Sequence, residues 1–263
     1  MSEAAIRLGA FAVVFGSLLF AQAAWPRRAR EGGSRATNLS VFVVGAVVSR
    51  LLVAVGAVAA AGFAARQGWG LFNVVDTPVW LAAIATVVLL DLAVWAQHVA
   101  THKVGWLWRL HEIHHADGHF DVTTGLRFHP VEIALSLLYK SAVVVVLGAP
   151  AAAVVAFEVI LNSGSMFEHA NLRLPPKLER ALRRVIVTPD MHRIHHSVHR
   201  EEADSNYGFF LSVWDRLFRT YTHAPRDGQD AMEVGVGGVP RGLPLKTLLV
   251  RPLAPRAPSM PSR

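Results

Sequence analysis

The chain has 263 residues, of which 52% are hydrophobic and only 17% charged, and its mean hydropathy is +0.36. An ordinary soluble domain carries about 25% charge, so this balance excludes disordered, fibrous and disulfide-stapled proteins and points to an integral membrane protein. With so few charges, the net +7 suits the cytoplasmic side of a bilayer better than a nucleic acid, and the absence of cysteine excludes disulfides, thiolate catalysis, iron–sulfur clusters and cysteine-based zinc sites.

Residues 4–25 are apolar apart from Arg7 and Gln22, long enough to cross a hydrocarbon core of about 30 Å. Ala21-Gln22-Ala23 resembles a signal-peptide cleavage site. Arg27, Arg28, Arg30 and Arg35 follow at once and resist translocation, so the segment reads as a span ending in the cytoplasm. Residues 39–65 form a second apolar run, interrupted by Arg50. Gly68, Gly70, Asn73 and Pro78 make a loop, and residues 79–97 form a third run that contains Asp91. Three crossings that start outside bring His98 out beside the arginine-rich loop.

Residues 131–161 are too long for one upright span and short for two full ones. Gly148-Ala149-Pro150 near the middle signals a turn, which predicts a helical hairpin that dips in and returns. His129 and His169 then share the face of His98. Residues 175–188 read as an amphipathic helix. Leu178, Leu182 and Val185 share one face, with Arg180, Arg183 and Arg184 elsewhere. Such a helix lies either on an anionic membrane surface or on the protein's own core. From residue 236 glycine and proline dominate, and a flexible tail with a disordered end is expected.

The expected plan is membrane helices over 1–97, a histidine-rich catalytic region over 98–235 that includes the hairpin 131–161, and a tail over 236–263. The fold class is an all-α integral membrane protein, with about three spanning helices plus a helical hairpin. A cytosolic helical histidine-rich cap would hold a binuclear metal site.

All thirteen histidines lie between His98 and His223. They form an HxxxH (His98, His102), an HxxHH (His111, His114, His115), a single His169, and a second HxxHH (His192, His195, His196) with His199 close behind. Helical residues three and four apart share a face, so His98 and His102 can bind one metal and each triplet can serve two neighbouring metals. These nine nitrogens, completed by water or oxygen, suit two octahedral ions. Neutral imidazole accepts iron, zinc, copper or nickel, so spacing alone does not choose among them. His129 and His199 are either ligands or hydrogen-bond partners of ligands. His119 and His223 read as solvated.

His111-Glu112-Ile113-His114-His115 also satisfies HExxH, in which two histidines bind zinc and a glutamate acts as base. A membrane-embedded zinc metalloprotease using His111, Glu112 and His115 is therefore an alternative. It leaves His98, His102 and the cluster from His192 to His199 without a role. A metal transporter or store is a third reading, but it would place ligands within the spans.

The combined pattern resembles the fatty acid hydroxylase/sterol desaturase superfamily of membrane di-iron oxygenases. The matching stretches are Asp91-Leu-Ala-Val-Trp95-Ala-Gln-His98-Val-Ala-Thr-His102, Leu107-Trp-Arg-Leu-His111-Glu-Ile-His114-His115 and Arg127-Phe-His129-Pro130. Phe167-Glu-His169-Ala-Asn171, Thr188-Pro-Asp-Met-His192-Arg-Ile-His195-His196-Ser197 and Asp204-Ser-Asn206-Tyr207-Gly208 through Trp214-Asp215 continue it. The resemblance covers about residues 80–225. Arg173 stands where some hydroxylases carry a further histidine, which leans toward the sterol-desaturase-like branch.

The resemblance implies two iron ions, O2 as co-substrate, and hydroxylation or desaturation of an unactivated C–H bond in a membrane lipid. The nine motif histidines would be the ligands. Asp91, Asp117, Glu168, Asn171, Asp190 and Asn206 would tune them, with pairing to Arg50 as the competing role for Asp91. Trp95, Trp106, Trp108 and Trp214 read as interfacial anchors. The chain has no dinucleotide fingerprint or haem-attachment motif, so electrons would come from a ferredoxin or a cytochrome b5-like protein with its reductase. A basic face including Arg183, Arg184, Arg193 and Arg200 would dock that carrier or face anionic lipid. The alanine-, arginine- and valine-rich composition suits a bacterial inner membrane with the histidine-rich face in the cytoplasm.

Overall fold

The structure is a computed structural model that describes residues 2–29 and 34–254. Among the described residues it is almost wholly helical, with only isolated β-bridges. In chain order come α1 (Glu3–Ala24), α2 (Arg35–Leu51), α3 (Ala57–Gln67), α4 (Leu71–Val74), α5 (Val79–Lys103) and α6 (Gly105–His115). They are followed by α7 (Pro130–Leu147), α8 (Ala151–Glu168), α9 (Pro176–Leu182), α10 (Pro189–His195), α11 (Arg200–Ala203), α12 (Val213–Leu217), α13 (Gly228–Ala231) and α14 (Leu245–Val250). Helices α1, α5, α7 and α8 are long and apolar enough to cross a membrane.

The expected span over 39–65 is broken in two. The helix stops at Leu51, passes through a 3-10 turn at Val53–Val55, and restarts after Gly56, whose backbone is extended. The Ser141 hydroxyl donates to the Val55 carbonyl at 2.8 Å, giving that carbonyl at the break a partner away from water. Together the two pieces run the length of α7. Gly45 faces Ile133 near the start of α7, and Gly70 meets Gly148 just past its end. A Cβ on Gly70 would sit 2.1 Å from the Gly148 nitrogen, so only glycine allows this approach.

The hairpin turns where expected. Gly148 takes the left-handed conformation (φ 62°) that closes α7, and Pro150 opens α8. It is longer than the expected 131–161, because each arm has 18 residues and α8 reaches Glu168. His129 caps α7 by accepting from the Val131 N–H, and His169 closes α8, so both ends of the hairpin open at one level. Leu90, Val94, Val144, Leu147, Val154 and Phe157 pack with Ala57, Ala60 and Ala61 between α3, α5, α7 and α8. The small alanines let α3 lie close to its neighbours.

Residues 175–188 do not form one surface helix. Only α9 is helical, because Ile186 bridges to Leu211 and the Val187 N–H donates to the Phe210 carbonyl. Arg183, expected on the polar face, is buried, donating to Glu179 and to the His223 carbonyl at 2.6 Å each. Leu178 and Val185 stay exposed.

The segment from 236 to 254 is not a loose tail. Leu248 on α14 is fully buried against Val41 and Ile113, and Arg251 donates to Glu112. The expected disordered end, over about the last dozen residues, falls mostly outside the described residues, as does Arg30.

Candidate metal centre

Four elements carry nine buried histidines to one place. Helix α5 brings His98 and His102, and α6 brings His111, His114 and His115. His169 follows α8, and the α10 region brings His192, His195 and His196. Each is at most 4% exposed. Their donor atoms fall into a group of five (His98, His102, His111, His115, His195) and a group of four (His114, His169, His192, His196). The two triplets are split reciprocally. On α6 the i,i+4 pair joins the five and the middle histidine joins the four, whereas on α10 the i,i+4 pair joins the four. The His115 and His196 rings stack at 4.3 Å, which places the groups side by side.

The hydrogen bonds behind the rings test whether a metal fits. A carbonyl only accepts, so the contacts of His98 Nδ1 with Tyr207 O (2.7 Å), His169 Nδ1 with Ser165 O (2.6 Å) and His195 Nδ1 with Ser205 O (2.7 Å) require N–H at Nδ1. The Nε2 lone pairs of the neutral rings then point inward. Those of His98 and His195 are 3.0 Å apart, and His169 Nε2 lies 3.1 Å from the Nε2 atoms of His114, His192 and His196. Facing lone pairs repel unless a cation sits between them. A tetrahedral site with bonds of about 2.0–2.1 Å separates its nitrogens by about 3.3–3.4 Å. The shorter spacing here, and five donors in one group, suit a higher-coordinate ion. Burial and the neighbouring rings hold His114, His115, His192 and His196 well below the ordinary histidine value, while burial lowers His169 to about 4 and His195 to about 3. The rings are thus kept as neutral donors at physiological pH.

Carboxylates complete the surround. Glu132 accepts from His111 Nδ1 at 2.6 Å, and Asp204 lies 3.6 Å from His102 Nδ1. Glu168 is fully buried, with its two oxygens each 3.7 Å from the Nδ1 atoms of His169 and His192. Glu132 was not singled out in the sequence. Its only signal is Pro130-Val131-Glu132 at the start of an apolar helix, which reads as an ordinary first-turn acid.

The other sequence candidates take structural positions. Asp91 does not pair with Arg50 but accepts from Trp214 Nε1 at 2.7 Å and Leu211 N at 3.2 Å. Trp95 donates to Asp215 at 3.1 Å and stacks on Phe218, and Trp108 lies against the His102 and His115 rings. Of the four expected anchors only Trp106 is largely exposed. His129 is a helix cap whose Nε2 meets the Leu249 carbonyl, and His199 contacts Asp227, so neither joins a group. Asn171 ties its loop to Arg28, and Asn206, at φ 51°, bridges Met191 and Thr222. Asp190 binds Arg27 and Arg193. Burial would raise Asp117, yet His119, Arg127, Ser34 and Asn38 hold it below the usual carboxylate range. His119 is part-buried beside it rather than solvated, whereas His223 is exposed.

A cavity of about 610 Å³ leads from His98 and His111 into the membrane region. Phe42, Gly45 and Val53 form one wall, and Ile133, Leu137, Leu161 and Phe209 form others.

A family model described as fatty acid hydroxylase matches residues 83–220. Ornithine lipid hydroxylase OlsE of Rhizobium tropici is 27% identical over 163 residues, 61% of this chain and 47% of that protein. Alkylglycerol monooxygenase of Homo sapiens is 28% identical over 158 residues, 59% of this chain and 34% of that protein. The Caenorhabditis elegans alkylglycerol monooxygenase is 27% identical over 133 residues, 50% of this chain and 25% of that protein. The chain thus spans less than half the length of these relatives. No solved structure gives a significant match.

Proposed function

The chain belongs to the fatty acid hydroxylase family, and on that premise we propose that it is a membrane-bound di-iron oxygenase that hydroxylates or desaturates an unactivated C–H position of a lipid. The carrying observation is the pair of adjacent histidine groups, five and four donors with lone pairs turned inward, beside a cavity that enters the membrane region. His98, His102, His111, His115 and His195 would hold one iron, and His114, His169, His192 and His196 the other. When bound, the two irons supply the activation of O2 that oxidation of an unactivated C–H bond requires.

The chain's own groups position and shield the site. The carbonyls of Tyr207, Ser165 and Ser205 and the carboxylate of Glu132 fix ring orientation and tautomer. Leu126, Phe128 and Phe209 line the cavity near the histidines and keep water from a carbon held there. In hydroxylation one oxygen atom of O2 enters the C–H bond as hydroxyl, and the other leaves as water with two electrons and two protons. In desaturation the two hydrogens removed from the lipid join those electrons and protons to give two waters.

The electrons come from an external carrier, a ferredoxin or a cytochrome b5-like protein with its reductase. Arg183 and Arg193 are buried and paired, so they leave the docking role to Arg184 and Arg200, which are exposed. The histidine-rich end faces the cytoplasm of a bacterial inner membrane. The described substructures also suit the sequence plan of an N-terminal membrane part followed by a catalytic region, although α5 crosses that boundary as one helix.

The protease alternative is disfavoured by Glu112. Its carboxylate accepts from Arg251 at 2.6 and 2.9 Å, a partner outside both histidine groups. The test is the metal content of detergent-purified protein from iron-supplied cells. About two irons per chain, lost in the His192→Ala/His195→Ala double variant, is the expected result. About one zinc, retained in that variant and lost in His111→Ala, would overturn it.

A further inference from the structure

The cavity has a second chemical feature that the metal centre does not use. Four ionisable side chains from three different helices line it away from the histidines: Glu3 and Arg7 of α1, Lys140 of α7 and Glu158 of α8. All four lie on helices apolar enough to span a membrane, and Arg7, Lys140 and Glu158 lie within them, where ionisable residues are costly and mark function by default. Arg7 Nη2 lies 2.5 Å from Glu158 Oε2, so these two charges neutralise each other. Glu3, at the exposed rim, lies 4.0 Å from Arg7. Lys140 makes no hydrogen bond or close ion pair among the described residues. The charges that act on it are Glu158, already paired, and Arg7, of like sign. Both carboxylates at this end of the cavity, Glu3 and Glu158, lie against Arg7, so among the described residues Lys140 is a cation on the cavity wall without a direct partner of its own.

Helix α7 places this group relative to the histidines. Glu132, Ser136 and Lys140 recur every four residues and all line the cavity. At 1.5 Å per residue, Lys140 lies about 12 Å along the axis from Glu132, the residue that holds His111. Between those levels the wall is mainly apolar, with Leu137, Ile133, Val94, Leu161 and Phe209. A polar end, an apolar middle and a histidine end make a binding site for an amphiphile lying along the cavity.

We propose that Lys140, with the Arg7–Glu158 pair beside it, forms a cationic subsite that takes the anionic head of a single-chain amphiphile and directs its hydrocarbon toward His98 and His111. The carbon presented to the histidines is then remote from the head. This deepens the lipid-oxygenase reading, because it rests on the cavity being the substrate path, but binding at the subsite needs neither turnover nor an electron donor.

Decanoate, decyl phosphate and decanol share a chain and differ in the head. Their binding to the full-length, metal-loaded protein is measured by titration calorimetry in a nonionic detergent. Decanoate is expected to bind at least tenfold more tightly than decanol. Lys140→Met should abolish that preference and Lys140→Arg retain it, with metal content unchanged in both. Glu158→Gln removes the competing anion and should raise the preference severalfold, an opposite sign that general misfolding would not produce. A stronger preference for decyl phosphate than for decanoate would identify a phosphate-type head, and the reverse a carboxylate. Equal binding of the acid and the alcohol would overturn the proposal, as would a preference that survives Lys140→Met or fails to rise in Glu158→Gln. Loss of iron with the head preference intact would instead count against the oxygenase reading alone.

Discussion

Glu132 offers the sharpest test of how the centre is held. Its carboxylate accepts from His111 Nδ1 at 2.6 Å, both side chains are buried, and its second oxygen has no hydrogen-bond partner. A hydrogen bond to a charged group contributes about 1.5–3 kcal/mol, against about 0.5–1.5 for a neutral one. Glu132→Gln keeps an acceptor of the same size and removes the charge. The difference of about 1 kcal/mol corresponds to a loss of roughly fivefold in metal affinity. Glu132→Ala removes the acceptor and leaves a buried N–H unpaired, at about 1–3 kcal/mol, so the loss should reach roughly 5- to 150-fold. The assay is a competitive chelator titration of the purified protein, following iron by absorbance. The order wild type, Gln, Ala is the expected one. Wild-type affinity in Glu132→Ala, or a Gln variant weaker than Ala, would refute the argument that this carboxylate orients His111.

Further outcomes follow from the same structure. Glu112→Gln should leave lipid oxidation within a few-fold of wild type, since Glu112 faces Arg251 rather than the cavity, and product analysis by mass spectrometry reads this directly. Leu248→Ala creates a void where α14 packs on Val41 and Ile113, and should cost about 2–5 kcal/mol, seen as a lowered thermal midpoint in detergent. In metal-stripped protein His169 and His195 titrate near 4 and 3, whereas the unfolded chain takes up its protons near 6.5. The unfolded state then binds more protons below pH 6.5, so stability should be greatest above that value and fall as the pH drops toward 3. Denaturant midpoints that stay level across that window would contradict the burial of these rings.

Much of this was legible locally. Cysteine-free, weakly charged composition fixed the class. Apolar runs located the helices, and Gly148 with Pro150 placed the hairpin turn, because a left-handed glycine and a helix-opening proline act through their own backbones. The three- and four-residue histidine spacings are also local, since they reflect one helix's own period. The break between α2 and α3 was not legible, because a hydropathy run does not record a carbonyl bonded across to Ser141. The docking of residues 236–254 was missed for a related reason. Glycine- and proline-rich composition reports weak local propensity, whereas the burial of Leu248 comes from distant surfaces.

By itself, then, the sequence determined that this is a helical membrane protein with eight histidines at ligand spacing and a ninth, His169, standing alone. Only the tertiary structure decided how they divide into five and four, with each HxxHH triplet split between the groups. It also decided that Glu132 stands behind His111 from 21 residues away, and that the Tyr207 carbonyl stands behind His98 from 109 residues away. Arg7, Lys140 and Glu158 meet on one cavity for the same reason. Periodicity tells which residues share a helix face. Which faces meet is settled by the packing of whole helices, and no single segment of the chain carries that information.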